Sequence, residues 1–156
     1  MKFPKIKTVK IMFCTYSLIM LWLLLGQRLN TLVIYDYSEQ IKQNTNLIPF
    51  ITIKRYITLI QYTSNILLVK HAIVNLLGNI IMFVPLGVFL PIIYKKARNY
   101  LIFLFFIIVS ISFIEVVQLF TLLGSCDIDD LIFNTFGATV GYIFYLIFNK
   151  IIKTRK

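Results

Sequence analysis

Residues 115–142 read EVVQLFTLLGSCDIDDLIFNTFGATVGY, and their reading decides the fold. The stretch starts inside an apolar run that carries Glu115 and Gln118. It leaves that run through a short acidic turn holding Asp127, Asp129 and Asp130, and re-enters apolar sequence with Asn134 one turn beyond Asp130. A ladder of small residues, Gly137, Ala138 and Gly141, follows. Two apolar runs joined by so short a turn read as a helical hairpin. Spacings of 4, 3 and 4 put Asp130, Asn134, Gly137 and Gly141 on one helix face, and Glu115 and Gln118 share a face at i, i+3. Gly137-x-x-x-Gly141 lets its face approach a neighbour closely. Polar side chains inside apolar helices are costly in lipid, so this set needs partners or a task.

Outward from the hairpin, the chain stays apolar. Of its 156 residues 59% are hydrophobic and 14% charged, against roughly half and a quarter in ordinary soluble domains. The length suits one domain, residues 1–156. Runs long enough to cross a bilayer fall at about 11–26, 72–94, 100–123 and 131–148. The expected fold is therefore all-α, a polytopic membrane protein with four transmembrane helices. The net charge of +10 does not point to nucleic acid, because the basic residues form neither a recognition helix nor a basic-aromatic groove. They cluster at the ends of apolar runs. The amino-terminal segment, the Lys95–Asn99 loop and the tail hold eleven Lys/Arg and no acid, whereas the other two connections hold five of each sign. The positive-inside rule then places both termini and the middle loop in the cytoplasm, with the acidic turn and the long 27–70 segment facing outward.

Lys2, Lys5, Lys7 and Lys10 precede the first run in the manner of a signal peptide. No small-x-small cleavage site follows at Gly26-Gln27-Arg28, so the run reads as an uncleaved first span. Cys14 and Cys126 are expected near opposite faces of the bilayer, about 20–30 Å apart. A disulfide needs Cα atoms within about 7 Å, so none is expected. In the 27–70 segment, Asn46-Leu47-Ile48-Pro49-Phe50 reads as a turn in which Pro fixes φ. Tyr56 to Val69 mixes apolar and polar residues, as does an amphipathic segment at the interface or a plain surface helix or loop. In the second span Asn75 and Asn79 share a face. Pro85 is expected to kink that helix near Ile81, and Gly78 and Gly87 to permit close helix approach.

Depth links these residues. At 1.5 Å per residue, Glu115 is expected about 12 Å and Gln118 about 8 Å below the outer end of the third span. Asn75 and Asn79 lie one to two turns below the outer end of the second, and Asn134 one turn below Asp130. This shared level predicts one polar chamber opening outward under the acidic turn, lined by Asn75, Asn79, Glu115, Gln118, Asp127, Asp130 and Asn134. Glu115, the costliest of them, is expected to be protonated, hydrogen-bonded to an amide or in contact with water. Three readings stay open. The polar groups are hydrogen-bond glue between helices, or they bind the polar head of a ligand or lipid. In the third, Glu115 and an Asp work as acid and base or hold a divalent cation. The enzymatic reading is the weakest, for want of a His/Cys cluster, a Ser–His pair or a phosphate-cradling loop. No metal and no cofactor are expected. His71, at a span mouth, reads as an interfacial hydrogen-bonder.

The ordered series Asn46-Leu47-Ile48-Pro49-Phe50, Asn75-x-x-x-Asn79, Phe83-Val84-Pro85-Leu86-Gly87, Glu115-x-x-Gln118 and Cys126-to-Gly137 (CDIDDLIFNTFG) resembles the VanZ-like family. The likeness covers about residues 46–142 and, less specifically, the first span. Many relatives place an Arg just before the acidic turn, whereas this chain reads Leu123-Gly124-Ser125-Cys126, so no role that needs an Arg–Asp pair there is carried over. The resemblance implies a small multi-pass protein of the bacterial plasma membrane and cell envelope. It also implies an association with low-level antibiotic resistance to teicoplanin, a lipid-tailed glycopeptide, with no established reaction. The expected partners are membrane lipids, and either the glycopeptide or a lipid-linked cell-wall precursor.

Overall fold

The computed structural model describes residues 5–25 and 36–154. Lys2, the Gly26–Arg28 context, residues 29–35 of the long connection, Arg155 and Lys156 lie outside the described residues. Four helices are long and apolar enough to cross a membrane: α1 (Ile6–Leu25), α4 (Ile66–Ile93), α5 (Tyr100–Phe120) and α6 (Ile128–Thr154). Two shorter helices, α2 (Tyr37–Gln43) and α3 (Ile51–Tyr62), lie between α1 and α4. The chain is thus an all-α, multi-pass membrane protein in architecture. Its exposed surface carries Leu21, Trp22, Leu77, Ile81, Phe105, Phe113 and Phe136. Such a surface suits hydrocarbon, where helices satisfy their own backbone groups.

The spans differ from their expected bounds for local reasons. Ile66–Lys70, read as part of the interfacial segment, are the first turn of α4. Asn65 starts the helix there, its Oδ1 accepting the backbone N–H of Leu67 at 3.0 Å and of Leu68 at 3.4 Å, the usual work of an N-cap carboxamide. Asn99 opens α5 in the same way. α5 closes at Phe120 rather than Leu123. Leu122 turns the chain in the left-handed region (φ 56°), and the Gly124 N–H donates to the Gln118 carbonyl at 3.1 Å. Glu115 accordingly lies about 7.5 Å from the helix end, shallower than the expected 12 Å. Pro85 does not interrupt α4, which runs through both Pro85 and Pro91. In the turn before Pro85 the Tyr16 hydroxyl donates to the Met82 carbonyl at 2.7 Å and ties α1 to α4 there.

α4 and α6 are the central pair. A Cβ on Gly87 would meet the Ala138 carbonyl oxygen at 1.9 Å, and one on Gly141 the Val84 oxygen at 2.0 Å. One on Gly137 would meet the Ile80 oxygen at 2.0 Å. The two backbones are in direct contact, as small-residue ladders permit. Gly78 departs from expectation: nothing lies within 4 Å of its Cβ position, so it permits no close approach. Phe83, Phe103, Ile107, Ala138, Tyr142 and Tyr145 form the buried core. Tyr142 closes one end by donating to the Arg98 carbonyl at 2.5 Å. That basic end carries the Lys95–Arg98 3-10 turn.

The opposite end is built by the acidic turn. Two residues, Cys126–Asp127 (β2), pair in parallel with Thr45–Asn46 (β1), and the Cys126 N–H donates to the Asn44 carbonyl at 2.8 Å. The turn is packed into the structure. Asp127 is 7% and Asp129 1% exposed, because both carboxylates satisfy donors of the 45–53 segment.

Candidate functional site

The site grows from those two carboxylates. Phe50 ends the Asn46–Phe50 turn in the left-handed region (φ 67°) and precedes α3. The backbone N–H groups of Phe50, Thr52 and Ile53 all donate to Asp129, at 2.6, 2.9 and 3.2 Å. These are donors that the first turn of a helix leaves unpaired, and the carboxylate also meets the positive end of the helix dipole. Asp127 accepts from Thr52 Oγ1 at 2.6 Å, from Asn46 Nδ2 at 3.1 Å and from the Asp129 N–H at 2.9 Å. It therefore caps the start of α6 while holding the Asn46 turn. The effect is to fasten α3 across the end of the bundle.

Beneath α3 lies a cavity of about 330 Å³. All seven sequence-predicted residues line it: Asn75 and Asn79 from α4, Glu115 and Gln118 from α5, Asp127 from β2, and Asp130 and Asn134 from α6. Thr52, Tyr56 and Ser125 add polar groups, and Leu23, Leu24, Val74 and Met82 apolar ones. Sequence reasoning missed Thr52, to which it gave no role, and Tyr56, which it read only as part of the mixed Tyr56–Val69 segment. Tyr56 reads there with the apolar positions, and its hydroxyl, which needs a partner when buried, was the available signal. Leu23 and Leu24 gave none, since any apolar residue of the first span could have faced lipid.

The polar groups are wired across elements. Asn75 Nδ2 lies 2.9 Å from the Tyr56 hydroxyl and 3.0 Å from His71 Nε2, which bears out His71 as a hydrogen-bonder. Asn79 Nδ2 donates to Asp130 Oδ1. Gln118 Nε2 donates to the Leu24 carbonyl at 2.8 Å, joining α5 to the end of α1. Glu115 is 5% exposed and accepts the Asp127 N–H at 3.2 Å, so a backbone amide serves it, one of the three states expected for it. Asn134 is different. It is 3% exposed and its Oδ1 has no hydrogen-bond partner among the described residues, although most buried side-chain polar atoms have one.

Beside the cavity, burial and the charges of Glu115 and Asp127 push the Cys126 thiol above its ordinary range. A thiol so held is a weak nucleophile at neutral pH. Both cysteines are free. Among the described residues no group of three or more His, Cys, Asp or Glu side chains is placed to hold a metal ion. The arrangement can hydrogen-bond a polar head at the end of the bundle, next to apolar side chains that would meet its tail.

Comparison with known proteins places this architecture. A family model described as VanZ/LLP1 matches residues 13–149. Protein VanZ of Enterococcus faecium is 28% identical over 142 residues, a stretch that covers 90% of this chain and 75% of that one. No solved structure matches.

Proposed function

The chain belongs to the VanZ/LLP1 family, and from that premise we propose that its cavity takes the polar head of an amphiphile whose apolar part stays in the bilayer. The protein sits in the bacterial plasma membrane with the basic end cytoplasmic and the cavity outward. The amphiphile is teicoplanin or a lipid-linked cell-wall precursor, and the outcome is low-level resistance to the lipid-tailed glycopeptide. One observation carries the reading: seven polar side chains from three spans and the acidic turn line a single cavity at one end of the bundle. An outward cavity at that level meets the depth at which lipid-tailed molecules anchor.

Teicoplanin susceptibility of a sensitive host expressing the protein tests this. Expression is expected to raise the inhibitory concentration, and Glu115→Gln or Asn134→Ala, at matched membrane abundance, to abolish the rise. Full resistance in both variants removes the cavity from the explanation.

The grouping of Glu115, Asp127 and Asp130 around that cavity favours a second reading, acid–base chemistry on a lipid or wall precursor. Expression would then alter the precursor or lipid profile by mass spectrometry, and Asp130→Asn would reverse the change. A profile that expression leaves untouched counts against it.

A further inference from the structure

The turn before α3 holds its apolar side chains out and its polar atoms in. Leu47, Ile48 and Phe50 are 66, 63 and 61% exposed. The Asn46 carboxamide donates to Asp127 and Thr52 and accepts the Ile48 N–H, and the Phe50 N–H is spent on Asp129. Large apolar side chains grouped in this way mark an interaction surface. The turn hangs on Asp127 and Asp129, between the end of α5 and the first turn of α6. It therefore stands at the level where two spans leave the bilayer. Charge is sorted at the same level. Of the six acids in the chain, Glu115, Asp127 and Asp129 are buried, and Asp130 lines the cavity and accepts from Asn79. Only Asp36 and Glu39, at the start of α2, are exposed. Lys42, Lys54, Arg55 and Lys70 are all exposed. Connections that balance in sequence thus show a basic surface. Thr52 and Tyr56 take the cavity face of α3, while Lys54, Thr58 and Gln61, at i, i+4 and i+7, are exposed on the other. The Lys54 N–H donates to the Phe50 carbonyl at 3.0 Å, which puts Lys54 one helical turn beyond the apolar tip.

We infer that the 47–55 segment is an interfacial anchor whose partner is an anionic phospholipid of the surrounding membrane. Leu47, Ile48 and Phe50 enter the acyl boundary. Lys54 and Arg55, about 6 Å or more along α3, meet the head-group phosphates. An apolar tip beside basic side chains binds such a surface through buried apolar area and charge attraction together. A zwitterionic head carries its own ammonium beside the phosphate, so the two basic side chains favour a head without one. The inference goes beyond the cavity reading and does not depend on what the cavity binds or on which leaflet this end meets.

Fluorescence of the full chain in nanodiscs tests it. Trp22 is the one tryptophan, so Trp22→Phe with Phe50→Trp leaves a single probe in the turn. The discs hold equal parts of phosphatidylglycerol and phosphatidylcholine, and one of the two at a time is brominated near the head-group end of an acyl chain. Both brominated lipids are expected to quench the probe, the phosphatidylglycerol about twofold more strongly, as lipid gathered by two basic side chains would. Lys54→Gln with Arg55→Gln is expected to make the two lipids equal while quenching persists, and high salt to act in the same direction. Ile48→Trp in place of Phe50→Trp repeats the measurement should the first probe disturb folding. Equal quenching by the two lipids before any charge is removed overturns the anionic assignment, as does a preference that survives the double substitution. A probe that aqueous acrylamide quenches and neither brominated lipid reaches overturns the anchor itself. So does a probe shielded from all three, which would mean that protein covers the turn.

Discussion

Asp129 gathers three backbone N–H groups from a segment some 76 to 79 positions away in sequence, and losing it strands them at a helix start. Asp129→Ala should cost about 2–4 kcal/mol, the desolvation of buried donors without partners. Unfolding in detergent should show the loss, and amides 50–53 should lose hydrogen-exchange protection while those of α6 keep theirs. Cys126 offers a pH readout. Its thiol is raised by burial first, then by Glu115 and Asp127. A raised value keeps the thiol protonated to higher pH, so in a Cys14→Ser background its alkylation should begin above the pH at which an ordinary thiol reacts. Glu115→Gln removes one repelling charge and should move that onset to lower pH. An onset indifferent to Glu115 would mean that this charge does not reach the thiol. At this scale the sequence was a good guide to location: the seven polar positions it singled out line one cavity. It did not say what each touches, because a carboxamide's partner is set by another helix.

Among the elements, α4 and α6 differ from the rest in that their backbones touch. The contrast between two glycines of α4 makes this measurable. Gly87→Ala puts a methyl 1.9 Å from the Ala138 oxygen, and forcing the helices apart should cost about 1–3 kcal/mol. Gly78→Ala meets nothing within 4 Å and should be neutral or stabilising by up to about 1 kcal/mol through helix propensity. Thermal unfolding of the two variants side by side checks both signs. Sequence alone gave both glycines the same packing role, since hydropathy does not show which face of α4 meets α6. Its helix ends slipped for a related reason. Caps such as Asn65 and the left-handed Leu122 are local events that an apolar run does not mark.

For the whole molecule, the basic end and the cavity end lie on opposite sides of the bundle. If the basic end faces the cytoplasm, green fluorescent protein fused after α6 should fluoresce, and alkaline phosphatase inserted at the 124–126 turn should be active. The reverse pattern would turn the cavity to the cytosol and end the proposal that it meets an external amphiphile. Four spans, their order and the presence of a polar level near the acidic turn were all legible from hydropathy and residue spacing, because the cost of polar groups in lipid is written into each segment separately. What only the tertiary structure decided is that the connection before α4 folds back over that level. Asp127 and Asp129 are buried by donors from residues 46–53, partners that the sequence reading did not identify. Those bonds join parts of the chain remote in sequence, and no local pattern fixes which distant N–H groups a carboxylate will gather.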